Sequence, residues 1–113
     1  MNYMLLIVGT RDAEPREGLM EAFMAYHQSV VEAGVMVDSN VLDSFEIATS
    51  VRVAENGERL VTDGPFAETR EYLGGYYILD LPDLDAAIDW AARCPGSLDG
   101  RIEIRSIQDF NAS

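Results

Sequence analysis

The chain has 113 residues, of which 8 are basic and 20 acidic, for a formal net charge of −12. That length predicts one domain, residues 1–113, whose core is small enough for a partner subunit to be a natural source of further burial. The charge repels a phosphate backbone and argues against direct nucleic-acid binding. Every basic residue is arginine, so a pyridoxal-phosphate Schiff base and a Walker A loop, both of which need lysine, are excluded.

With one histidine and one cysteine the chain cannot build a zinc site from several such ligands, and no metal or other cofactor is expected. Cys94 reads as a small buried apolar residue. The opening MNYMLLIVGT lacks a basic lead, and no apolar run is long enough to span a bilayer. A cytoplasmic protein with no membrane partner is the expectation.

In chain order, residues 3–9 form a continuous apolar run of strand length. Residues 12–34 predict a helix, with Pro15 in its first turn and Gly34 at its stop. Leu19, Phe23, His27, Val30 and Val31 share its apolar face. Residues 35–47 read as extended or irregular. Asn56-Gly57, between β-branched runs at 49–53 and 59–63, signals a hairpin. GGYYILDL is a further strand. In PDLDAAIDWAARCPG, Asp83 caps a helix with Leu84, Ala87, Ile88 and Ala91 on one stripe, and Pro95-Gly96 ends it. RIEIRSI alternates as a last strand, Ile102 and Ile104 on one face.

This order predicts an α+β fold, the ferredoxin-like split βαβ with an added β-hairpin. Helices cover one face of such a sheet, yet residues 3–8 and 76–79 are apolar on both faces. An identical subunit stacking sheet on sheet through the open face is the expected cover, which makes the chain a homodimer.

His27 is the side chain suited to proton transfer near neutral pH, and Asp63, held by the turn Gly64-Pro65-Phe66, is the carboxylate that could orient it. Each has a structural alternative. A lone histidine on an apolar helical face is commonly a hydrogen-bonded core residue, and Asp-Gly is a common turn. Arg52 and Arg70 could bind an anionic group through the guanidinium fork, although exposed charges such as those in ETRE commonly form weak surface pairs. Tyr76, Tyr77 and Trp90 read as core aromatics; Tyr76 is the tyrosine expected to orient a ligand.

VTDGPFAETREYLGGYYILD, with TSVRV before it and DLDAAIDWAARCPG after it, resembles the DGPF branch of the YCII-related proteins across about residues 3–110. The resemblance implies a dimeric α+β barrel, His27 and Asp63 as an active-site pair, and Gly64, Pro65 and Phe66 as the signature turn. Arg70 stands where the family usually has lysine, keeping the charge but changing its geometry, and Ser44 stands where proline is usual. Some relatives act on small ring compounds, and others resemble partners of extracytoplasmic-function sigma factors.

Three readings follow. The first is a lyase or isomerase acting on a small oxygenated or phenolic substrate, with Arg52 or Arg70 stabilising an oxyanion. The second is a non-enzymatic binding or regulatory module that docks a sigma-factor-type protein through its acidic surface. The third is a structural dimer in which His27 and Asp63 satisfy each other.

Overall fold

A computed structural model describes residues 1–14, 16–63 and 70–109. Strand β1 spans Asn2–Thr10, helix α1 Leu19–Ala33 and strand β2 Met36–Val41. A single 3-10 turn, Phe45–Ile47, leads into β3, Thr49–Val53, and β4, Arg59–Asp63. Strand β5, Glu71–Asp80, is followed by α2, Leu84–Arg93, the one-turn helix α3, Gly96–Asp99, and strand β6, Arg101–Ser106.

Four strands form an antiparallel sheet in the order β2-β5-β1-β6, the ferredoxin-like arrangement, with the β3–β4 hairpin inserted in the chain between β2 and β5. The hairpin does not extend this sheet. It is a separate two-stranded ribbon with Val51 opposite Val61. Ala54 and Glu58 close its loop, and Gly57 within it sits at φ 86°, a left-handed position that glycine adopts without steric cost.

Helices cover one sheet face. Tyr3, Leu5, Tyr77 and Leu79 point inward from β1 and β5 to meet Tyr26 and Val30 of α1 and Ala87, Ala91 and Cys94 from the second helical region. Gly34 ends α1 at φ 72°, as its sequence position predicts, and the Asp83 side chain accepts the Ala86 N–H at 2.9 Å to start α2. Pro15 lies outside the described residues, and regular α1 begins at Leu19 behind Gly18.

Within the stretch 35–47, expected to be extended or irregular, Met36–Val41 is extended as an edge strand, β2, because β5 offers it a pairing edge. Two helical faces differ from expectation. On α1 the buried residues are Tyr26 and Val30, with Phe23 packed against the core, so Phe23 and Val30 of the predicted stripe face inward with Tyr26 beside them, while His27 and Val31 are exposed. On α2 the alanines pack against the core while Leu84 and Ile88 remain exposed.

Strand alternation sends Met4, Leu6, Val8, Tyr76 and Ile78 to the opposite sheet face, where they are half-buried with no helix over them. Arg101, Glu103 and Arg105 border this apolar strip on β6. No helix among the described residues is long and apolar enough to cross a membrane.

Candidate functional site

Between α1 and the β2–β5–β1 part of the sheet lies a hollow of about 850 Å³. Leu19, Met20, Phe23, Met24 and Val31 line it from the helix, with Ile7 and Val41 from the sheet. Its floor exists because of Gly74 and Gly75. One extra residue of β5 is accommodated opposite the Ile7–Val8 step, and at Gly75 a side chain would meet the Asn40 carbonyl oxygen at 2.8 Å. The paired glycines therefore let β2 approach β5 while leaving the space above free of side chains.

Polar groups are few and convergent. His27 Nδ1 lies 2.8 Å from the Tyr77 hydroxyl, and the two ring centroids are 5.8 Å apart. Tyr77 is wedged edge-on against Tyr26, at 5.4 Å and 88°. Tyr26 in turn donates its hydroxyl to the Trp90 carbonyl at 2.9 Å. Burial pushes the Tyr77 phenol upward, opposed by hydrogen bonding from Ser39, the residue directly across the ladder on β2. Tyr26 is raised further, chiefly by burial. Both remain neutral phenols at physiological pH.

The shared His27–Tyr77 contact leaves Nε2 without a partner among the described residues. When Nδ1–H donates to the Tyr77 oxygen, Nε2 carries a lone pair and is a base. When Tyr77 O–H donates to Nδ1, the imidazole proton sits on Nε2 and the ring becomes a hydrogen-bond donor. In either state a neutral phenol orients the imidazole but contributes no negative charge to balance an imidazolium. No Asp, Glu or Arg lines the hollow among the described residues, and no three His, Cys, Asp or Glu side chains gather there or elsewhere as a metal-ligand set.

The predicted site residues are distributed unevenly. His27 lines the hollow. Asp63 ends β4, is exposed and has no hydrogen-bond or ion-pair partner among the described residues; it does not line the hollow. Arg52 is exposed on β3, and Arg70 is exposed at 3.9 Å from Asp12. Gly64, Pro65 and Phe66 lie outside the described residues. Tyr76 borders the hollow, but its hydroxyl accepts from Asn40 at 2.7 Å and donates to Asp38 at 3.1 Å on the open sheet face. Tyr77, read from the sequence as a core aromatic, is buried in the core and is the tyrosine whose hydroxyl reaches His27. Its phase with buried Leu79 was the available signal, since residues two apart on a strand share a face.

A second, shallower depression of about 570 Å³ lies at the hairpin root, lined by Leu42, Phe45, Ile47 and Tyr72. The Phe45 and Tyr72 rings stack there at 4.7 Å, and the Arg11 guanidinium lies 4.9 Å over Phe45.

The model of the YCII-related domain matches residues 1–111. An uncharacterised protein of Rhizobium meliloti (strain 1021) is 40% identical over 78 residues, 69% of this chain and 62% of that protein, so the chain spans under two thirds of that relative's length. Among solved structures, the fold is similar to 5-chloro-2-hydroxyhydroquinone dehydrochlorinase of Burkholderia phenoliruptrix, in complex with 2,5-dihydroxybenzoquinone. The TM-score is 0.51 and the identity 11%, covering 96% of this chain and 94% of that one.

Proposed function

The chain belongs to the YCII-related domain family, and from that premise we propose that it is a small-molecule enzyme of lyase or isomerase type acting on a hydroxylated ring, with His27 as the proton carrier. The observation that carries this reading is a mainly apolar hollow in which His27, held by one phenol, has a ring nitrogen with no partner among the described residues. A ring of benzene size fits the apolar walls. The absence of a lining cation among the described residues, together with the net charge of −12, favours neutral phenols over carboxylated or phosphorylated ones. That the structurally similar dehydrochlorinase was solved with a dihydroxybenzoquinone supports a ring ligand.

In this mechanism Nδ1–H donates to Tyr77, and Nε2 takes the proton of a ring hydroxyl. The O–H electron pair moves into the ring as the carbonyl forms, and the imidazolium returns the proton to a ring carbon, which completes the isomerase case. In the lyase case that carbon bears the leaving group; Nε2 then takes the proton of a second ring hydroxyl, and its electron pair shifts the double bonds and expels the leaving group with its bonding pair. Asp63, Arg52 and Arg70 do not line the hollow of their own copy; Asp63 is assigned to balance the imidazolium and Arg52 or Arg70 to the oxyanion only if brought to the site from elsewhere, Gly64, Pro65 and Phe66 are assigned to substrate contact, and Tyr76 to a supporting position at the margin. The open sheet face, with Met4, Leu6, Val8 and Ile78 half-exposed, is assigned to a homodimer contact.

The test follows ring absorbance while purified chain is incubated with hydroquinones and phenols, with and without a halogen substituent. His27→Ala is expected to lower the rate on the order of 100-fold to 10,000-fold with unchanged circular dichroism. Undiminished turnover by that variant would falsify the assignment.

A further inference from the structure

The β3–β4 hairpin stands away from the body. Neither strand packs extensively on another element, and every residue of β4 is exposed. An isolated two-stranded ribbon is marginal in water and needs a surface to lie on. The register gives this ribbon two unlike faces. Val51, Val53 and Val61 share one with Arg59 and Asp63 at its ends, whereas Ser50, Arg52, Leu60 and Thr62 share the other.

The whole chain carries the same signature. Its radius of gyration is 16.4 Å, against about 13 Å for a compact domain near this length. Its accessible surface is 8246 Å², on the order of 2,000 Å² more than a compact chain of this mass exposes. An excess of that order is what each copy of an intertwined dimer covers, being well above the roughly 800 Å² per partner of a standard interface.

The same chain holds a second uncovered apolar surface. The mouth of the His27 hollow is rimmed by Met20, Met24 and Val31 on α1 and by Val41 on β2, with exposures of 72, 66, 54 and 90%. From Met20 to Val31 the rim runs about 16 Å along the helix, and a five-residue strand is about 17 Å long. In a chain of net charge −12 both patches have apolar centres free of acid, so they can meet without the repulsion that opposes other self-contacts. Methionine side chains adapt readily to such a partner.

We propose that the hairpin arm of one copy lies across the mouth of the His27 hollow of a second copy, valine face down. The arm leaves between β2 and β5, at the sheet's edge, so it can pass round a neighbour whose open sheet face is also covered. It closes the open mouth with Val51, Val53 and Val61, and it presents Asp63 on the face that meets the partner's site. The hollow of one copy is thus completed by the other. This inference rests on the hollow being the working site proposed above, but its test reads association and not turnover.

Chains carrying Val51→Cys are mixed with tagged chains carrying Met24→Cys and oxidised mildly; tagged Leu98→Cys chains serve as the control. A tagged–untagged disulfide dimer that forms with Met24→Cys and not with Leu98→Cys is expected. Cross-linking no greater than the control, or a chain that sediments as a monomer at every concentration, overturns the proposal. A dimer without the cross-link also overturns it, because the arm then lies elsewhere. Val51→Arg with Val61→Arg, both at exposed positions, is expected to weaken the dimer at least about tenfold, equivalent to about 1.4 kcal/mol. If the cross-link forms but no ring compound is turned over, the arm stands and the enzyme reading fails.

Discussion

Tyr77 does for His27 what a carboxylate commonly does for a catalytic histidine: it fixes the ring and occupies Nδ1. A buried neutral phenol does so without stabilising the charged imidazolium, which is why an acidic group delivered from elsewhere remains chemically useful. Tyr77→Phe keeps the edge-on contact with Tyr26 and removes only the hydroxyl. The expected result is a stability loss of about 1 kcal/mol, measured by urea denaturation. The expected rate loss on a ring substrate is about 10-fold to 100-fold, smaller than for His27→Ala, because the base remains but is no longer aimed. His27 is the only histidine, so its Cε1–H proton signal reports the loss of the contact directly.

The glycine pair of β5 shows how one element can serve both stability and site. Gly75 lies within van der Waals reach of the β2 backbone, and a methyl group there would meet the Asn40 carbonyl oxygen at 2.8 Å. Gly75→Ala is therefore expected to push β2 away and to cost about 1–3 kcal/mol, visible as a lowered thermal midpoint. The same substitution at Gly57, φ 86° with nothing near its Cβ, is expected to cost about 1 kcal/mol through backbone strain alone. Asp83→Ala, which removes the cap on the Ala86 N–H, is expected to cost about 0.5–2 kcal/mol. These elements were legible locally: Gly34, Asp83 and the Asn56-Gly57 hairpin act through neighbours a few residues away. Strand β2 was legible only as extended or irregular, because Met36–Val41 has no clean alternation and is fixed by pairing with β5, more than thirty residues distant.

For the whole molecule, burial sets a limit at alkaline pH. The phenols of Tyr26 and Tyr77 are raised above their ordinary value of 10.0, and the Cys94 thiol above 9.0, in each case chiefly by burial. The folded chain holds these protons more tightly than the unfolded one. Their stabilising effect is complete below the unfolded values and is lost as pH rises through them toward the folded ones. Urea midpoints are therefore expected to start falling near about pH 9 and to go on falling as pH rises past about 10, and Tyr26→Phe is expected to lessen the fall. The low pI does not contribute to this decline, since acidic groups are already ionised throughout that range.

Periodicity and turn chemistry alone determined the element order, the ferredoxin-like connectivity and the histidine on the first helix, because each depends on contacts within a few residues of chain. Three features were decided only by the tertiary structure. The core drew in Tyr26 beside the expected Val30 on α1, which left His27 turned toward the hollow; neighbouring positions of a helix can be equally apolar, and only the opposing sheet selects between them. Register with β1 put Tyr77 inward and Tyr76 outward, since a one-residue shift exchanges the faces of a strand. The hairpin formed its own ribbon rather than widening the sheet, leaving Asp63 on an exposed face. Whether two side chains distant in sequence meet depends on the packing of whole elements, a property that no short stretch of residues encodes.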